Sequence, residues 1–262
     1  MSHANYSVLQ NKANIQLRSS PFPYFIIDNA LPWDLYNELN DTFPEYQKII
    51  ENNMGLNEFK DNTAYRLNAN QSLQRSDITE SWKKFISYHT SYEFTNELFE
   101  IFKDSIKTIY KVSKEQLPNQ NNIGVRFNGQ NYFNTDCQFV INTPTSGDTS
   151  VIEPHLDNPK EFYAGLLYMK ELDDDSIGGN LTTHKFKGAP SFYGKSRVRN
   201  DKVDLVEEIE YKKNRLAVFL NSPYSIHGVT KRSKTDFYRK YMNIIGEFNQ
   251  ELFDYRPFLE KN

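Results

Sequence analysis

The sequence predicts a mainly β fold with N-terminal helices, an α+β jelly roll or sandwich supported by a helical layer. Two observations predict it. Helical spacing of apolar residues is confined to the first part of the chain, and past a Leu-Pro-Asn-Gln-Asn-Asn run at 117–122 short apolar or alternating segments follow one another without helices between them. Helices that precede strands, instead of alternating with them, disfavour a doubly wound parallel sheet. No repeat or linker composition splits the 262 residues, so they read as one domain: a helical part over about 1–120 and a β core over about 121–250.

The elements follow in order. Residues 22–28, Phe-Pro-Tyr-Phe-Ile-Ile-Asp, are an aromatic and β-branched run ended by Asn29, which reads as a buried strand. Leu35, Leu39 and Phe43 then fall four apart on one helix face, with Pro32 near its start. From Glu45 to about Arg75 the chain is polar with little periodicity and reads as a surface excursion of the kind that forms lids. Helical spacing returns at 78–89 (Trp82, Phe85, Ile86, His89) and at 91–110 (Phe94, Leu98, Ile101, Phe102, Ser105, Ile109), with Ser91 as the N-cap of the second helix. Strands are expected at 123–127, 137–143, 151–157, 163–169, 180–187, 203–211, 215–220, 225–229 and 239–248. The segment over Gly188–Lys202 is a second loop that could gate a site.

Composition excludes several functions. With 38% apolar residues the chain can bury a large core without staples, and 31 Lys plus Arg against 34 Asp plus Glu gives a net charge of −3, which makes nucleic acid an unlikely partner. Cys137, the single cysteine, can form neither an internal disulfide nor a cysteine-based zinc or iron–sulfur site, so a cytoplasmic location is expected. The first twenty residues hold no apolar run suited to export, and a mean hydropathy of −0.72 with no long apolar stretch excludes a membrane helix.

The chemistry concentrates in Ile-Glu-Pro-His-Leu-Asp-Asn-Pro. Residues i and i+2 of a strand project to the same face, so His155 and Asp157 can converge on one metal ion, and His227 in Tyr-Ser-Ile-His-Gly-Val supplies a second imidazole seventy residues on. Two His and one carboxylate form the facial set that suits non-haem Fe(II) and leaves coordination positions open. Arg239 begins a later strand; its fork of donors suits an anionic carboxylate. On that strand Arg239, Tyr241, Asn243 and Ile245 share one face, while Lys240, Met242 and Ile244 share the other.

Over roughly residues 120–250 these features resemble the Fe(II)/2-oxoglutarate-dependent dioxygenases, in their prolyl 4-hydroxylase-like branch. The resemblance is carried by His155-Leu156-Asp157-Asn158-Pro159, by His227, by the Gly178-Gly179-Asn180-Leu181 turn and by the entry segment at 21–32. It implies a double-stranded β-helix supported by the helical layer, with His155, Asp157 and His227 as catalytic metal ligands. It also implies Fe(II), 2-oxoglutarate and O2 as cofactor and cosubstrates, with ascorbate as a candidate reductant. The outer carboxylate of 2-oxoglutarate is assigned to Arg239 and Tyr168, with Lys231, Arg232 and Lys234 as alternatives closer to His227. Gln138 or Asn142 is the candidate for the inner carboxylate. A carboxylate as third ligand disfavours halogenation, so the implied reaction is hydroxylation of an unactivated C–H bond. The substrate would be a prolyl or other peptidyl residue or a free amino acid, and succinate and CO2 would be released.

The alternatives are an oxidiser of a nucleobase or sugar on the same scaffold, a metal- or carbohydrate-binding jelly roll without turnover, and a zinc hydrolase. A lone arginine buried on the last strand argues against the last two. His184 reads as a structural strand histidine, and His3 and His89 as a terminus and a helix face. Asp173-Asp174-Asp175 reads as a solvated turn, Lys185–Lys202 as a solvated basic loop, and Arg232, in Thr-Lys-Arg-Ser-Lys-Thr, as a residue facing solvent.

Overall fold

A computed structural model describes residues 3–51, 60–112, 116–150 and 152–260. Among the described residues ten strands form two sheets. In chain order they are β1 (Tyr24–Asp28), β2 (Ala64–Leu67), β3 (Ile123–Val125), β4 (Phe133–Asn142), β5 (Glu161–Tyr168), β6 (Leu181–Phe186), β7 (Val203–Ile209), β8 (Arg215–Leu220), β9 (His227–Val229) and β10 (Arg239–Phe248). The major sheet runs β1-β8-β5-β10-β4-β2, with β3 added parallel to β4; the minor sheet is β7-β6-β9. All the other pairings are antiparallel, which is the jelly-roll arrangement of the double-stranded β-helix.

Five helices, α1 (Trp33–Asp41), α2 (Tyr46–Glu51), α3 (Ala69–Gln74), α4 (Glu80–His89) and α5 (Tyr92–Tyr110), accompany the major sheet. Strand alternation explains how. Leu216, Val218 and Leu220 of β8 and Met242 and Ile244 of β10 join Trp82, Phe85, Phe94, Leu98 and Phe102 in one large core. The intervening Ala217 and Phe219 turn the other way and pack with Ala164, Leu181 and Ile209 between the sheets. Both faces of the major sheet are therefore buried, and its strands read as nearly continuous apolar runs. Ser91 caps α5, its Oγ accepting the Phe94 N–H at 3.3 Å, as the sequence predicts.

Four expectations are corrected. Most of the polar stretch from Glu45 to Arg75 is ordered structure, not a loose excursion: α2 and α3 flank β2, which pairs with β4, and Ile49, Tyr65, Leu67 and Ala69 are buried. Sparse apolar residues suffice because these elements are short and bury one side each; residues 52–59 of the stretch lie outside the described residues. No regular strand spans 152–157: His155 is held by isolated bridges to His227 and Arg197, and residue 151 is outside the described residues.

Arg232 is fully buried, not solvent-facing, and donates to the carbonyls of Thr143 at 2.9 Å and Phe237 at 2.8 Å. Asp174 is buried as well, its Oδ1 accepting the Ser176 N–H at 2.9 Å. The basic loop keeps Lys195, Arg197 and Arg199 exposed, but Phe192 and Val198 anchor it in a core with Leu156 and Ile226. Its Ser196 carbonyl accepts the Leu156 N–H, and its Val198 N–H donates to Pro154.

Candidate metal centre

His155 and His227 sit directly opposite one another and exchange both backbone hydrogen bonds, His155 N to His227 O at 2.8 Å and His227 N to His155 O at 3.1 Å. That pairing puts both imidazoles on one face with ring centroids 4.4 Å apart. Two residues along, Asp157 brings Oδ1 to 3.5 Å from His155 Nε2 and Oδ2 to 3.4 Å from His227 Nε2. Ligand atoms of the three residues all lie within 4.8 Å of one another.

The tautomers follow from the second nitrogens. His155 Nδ1 faces the Glu153 carbonyl and His227 Nδ1 the Ser225 carbonyl, each at 2.9 Å, so each Nδ1 carries a proton and each Nε2 is the atom turned to Asp157 and the space between them. Two donor atoms about 2.1 Å from a common ion, at roughly 90–110°, lie about 3.0–3.4 Å apart. The two carboxylate–imidazole separations, 3.4 and 3.5 Å, lie at the upper edge of that spacing. Burial alone would raise the Asp157 carboxyl, but the His227 and His155 rings beside it hold it well below the ordinary carboxylate range. Burial likewise opposes a charged His227, and the neighbouring Asp157 carboxylate outweighs it and raises the ring.

The three residues open into a cavity of about 560 Å³ between the sheets. Arg239, Tyr241, Asn243 and Ile245 all line it, as the strand alternation predicts, and Gln138 and Asn142 line it from β4. Arg239 is 2% exposed, and its Nε donates to the Gly179 carbonyl at 2.7 Å and its Nη1 to Asn142 Oδ1 at 3.1 Å. Among the described residues no carboxylate pairs with it. The guanidinium is instead enclosed by Tyr168, Tyr211 and Tyr241, with ring centroids 5.2, 5.1 and 4.7 Å from Cζ. Arg239 Nη2, Tyr168 Oη and Asn142 Nδ2 are buried and have no hydrogen-bond partner among the described residues. Tyr168 does not itself line the cavity, and the Gln138 amide is committed to Asp136 Oδ2 at 2.7 Å.

Gly178 and Gly179 make this approach possible. Both have positive φ, +84° and +73°, and a Cβ on Gly179 would stand 2.9 Å from Arg239 Cδ.

The fold resembles oxygenases of known structure. A prolyl 4-hydroxylase from Phytophthora capsici aligns over 94% of this chain and 64% of its own, at 14% identity and a TM-score of 0.46. This chain therefore spans less than two thirds of that protein. A Pseudomonas putida prolyl-4-hydroxylase aligns over 94% of this chain and 100% of its own, at 12% identity and a TM-score of 0.41. A Trichoplax adhaerens prolyl hydroxylase, solved with a peptide fragment of the hypoxia inducible factor oxygen degradation domain, aligns over 94% and 89%, at 14% identity and a TM-score of 0.47. No protein-family model and no curated protein matches the sequence.

Sequence reasoning missed Tyr211, Glu161, Arg66 and Arg126 around the site, and it set His184 aside as a structural histidine. Tyr211 reaches Arg239 from beyond the end of β7, and no spacing rule connects the two. His184 is buried beside the centre, its Nε2 on Thr182 Oγ1 at 2.8 Å; burial, aided by the charges of His227 and His155, lowers its pKa to about 4. It is not among the three residues whose ligand atoms cluster. Glu161, Arg66 and Arg126 also line the cavity. Among the described residues no helix is long and apolar enough to cross a membrane.

Proposed function

We propose that the protein is an Fe(II)- and 2-oxoglutarate-dependent dioxygenase that hydroxylates an unactivated C–H bond in a prolyl or other peptidyl residue or a free amino acid. The observation that carries this reading is that one cavity holds both a His-x-Asp and His donor set and a buried arginine with no carboxylate partner. A buried guanidinium without a counter-charge is costly, and a dicarboxylate that also reaches the metal position relieves that cost.

His155, Asp157 and His227 would hold the iron, and the donor set fits: two neutral imidazoles and one carboxylate on one side of the ion leave the remaining positions free. Arg239 would hold the outer carboxylate of 2-oxoglutarate, with Tyr168 Oη and Asn142 Nδ2 as further unpartnered donors. Bound together, iron and 2-oxoglutarate supply the oxidising power for hydroxylation, consuming O2 and releasing succinate and CO2. The chain contributes position and exclusion of water. The Glu153 and Ser225 carbonyls fix the two rings, and Phe219, whose ring lies 4.5 Å from that of His227, joins Leu181 and Val229 in an apolar wall.

The test is succinate release from labelled 2-oxoglutarate by the purified protein with Fe(II) and ascorbate, first alone and then with peptide and amino-acid pools. Fe(II)-dependent succinate that rises with one of the pools is expected. No succinate under any of these conditions would overturn the proposal.

A further inference from the structure

We infer that the substrate is a free α-amino acid whose ammonium sits against Glu161 and whose carboxylate faces Arg66 and Arg126, an inference that rests on the proposed function above. It starts from a break in strand pairing. β10 and β5 pair regularly from Tyr241↔Tyr168 to Gly246↔Tyr163, and then step to Glu247↔Glu161, so Phe162 is an extra residue. Phe162 and Tyr163 both enter the helix-side core, and the bulge turns Glu161 into the cavity instead.

Among the described residues the Glu161 side chain has no hydrogen bond and no ion pair, and its backbone carbonyl accepts from Asn221 Nδ2 at 3.0 Å. Burial disfavours its charged form, while Arg126 and Arg66 act in the opposite direction. The neighbouring acids are already satisfied. Asp136 accepts from the Ala69 and Cys137 N–H groups and from Gln138, and Glu247 pairs with Arg126 at 2.9 Å. Glu161 is therefore a carboxyl in this wall without an ion pair among the described residues, and Arg66 and Arg126, the latter already paired with Glu247, line the same cavity.

An acid and two bases together complement a zwitterion. An internal residue of a peptide carries neither charge, because both its backbone groups are neutral amides. The volume of about 560 Å³ falls within the range of small-molecule sites.

The experiment uses the wild-type protein loaded with Zn(II), which is redox-inert, plus 2-oxoglutarate. Pools of free L-amino acids, the same acids N-acetylated, and the same acids as C-terminal amides are titrated by calorimetry. In parallel, succinate release is measured with Fe(II). Binding of a free amino acid is expected, with at least about a tenfold loss on N-acetylation and a similar loss on amidation, since each removes one charge contact. For the acid that binds, Glu161→Gln should raise KM by about tenfold with a smaller change in kcat, and Glu161→Asp should recover part of the loss. N-acetylated acids or peptides that bind as well as free acids, or no free acid binding at all, would overturn the inference. A protein that binds 2-oxoglutarate and releases succinate only with peptides would overturn it and leave the proposed function standing. A protein that binds no 2-oxoglutarate would overturn the proposed function itself.

Discussion

Arg239 Nη2 and Tyr168 Oη are buried, belong to side chains that pack against each other with Cζ 5.2 Å from the tyrosine ring, and both lack a hydrogen-bond partner. A buried hydroxyl without a partner contributes nothing to the fold, so its removal is close to neutral for stability. Tyr168→Phe should therefore leave the melting temperature unchanged or slightly higher while weakening 2-oxoglutarate by about threefold to tenfold. Arg239→Ala should weaken it by about tenfold to a hundredfold. Equal affinity in the Tyr168→Phe and parent proteins, measured by calorimetry, would remove Tyr168 from the cosubstrate pocket.

Arg232 takes a different part. It ties the Thr143 and Phe237 carbonyls together from a fully buried position, so its loss strands two acceptors and opens a void. Arg232→Ala should lower stability by about 3 kcal/mol in urea unfolding, with 2-oxoglutarate affinity in the surviving folded protein changed less than in Arg239→Ala. The opposite ranking of the two variants would exchange their roles.

Gly179→Ala tests the close approach beneath Arg239. The added Cβ would lie 2.9 Å from Arg239 Cδ and 3.2 Å from Arg232 Cγ. The substitution should raise the KM for 2-oxoglutarate about as far as Arg239→Ala does. An unchanged KM would mean that Arg239 can shift without consequence.

His89 gives the pH dependence of stability a defined sign. It is fully buried, its Nδ1 on the Phe85 carbonyl at 2.8 Å and its Nε2 accepting the Val8 N–H at 3.2 Å, and burial lowers its pKa from 6.5 to about 3. Above pH 6.5 both folded and unfolded states hold it neutral. Between 6.5 and about 3 only the unfolded state takes up the proton, so stability falls by about 1.4 kcal/mol for each pH unit in that window. His89→Gln should remove about one proton from the slope of unfolding free energy against pH between 6 and 4, and an unchanged slope would contradict the burial.

The parts of this structure legible in the sequence are those governed by strict periodicity. The face shared by Arg239, Tyr241, Asn243 and Ile245 follows from a period of two, and the same set lines the cavity. The helix faces over 78–110 follow from a period near 3.6. Residues whose place depends on a local irregularity or a long-range partner were not legible. Arg232 looked solvated because its turn is basic, and only the Thr143 and Phe237 carbonyls explain its burial. Asp174 was hidden in a run of three acids. Glu161 reaches the cavity through a bulge, and the trace of that bulge in the sequence is Gly246, where a Cβ would stand 2.4 Å from the Tyr163 ring.

The central claim is that His155, Asp157 and His227 hold one iron to which 2-oxoglutarate binds. Its most direct test is anaerobic equilibrium dialysis of Fe(II) and labelled 2-oxoglutarate against the parent protein and the His155→Ala, Asp157→Ala and His227→Ala variants, with circular dichroism to confirm folding. The account predicts a single Fe(II) per parent chain, 2-oxoglutarate retained only when the metal is present, and loss of both in each folded variant. Retention of iron and 2-oxoglutarate at parental levels by folded Asp157→Ala would contradict it.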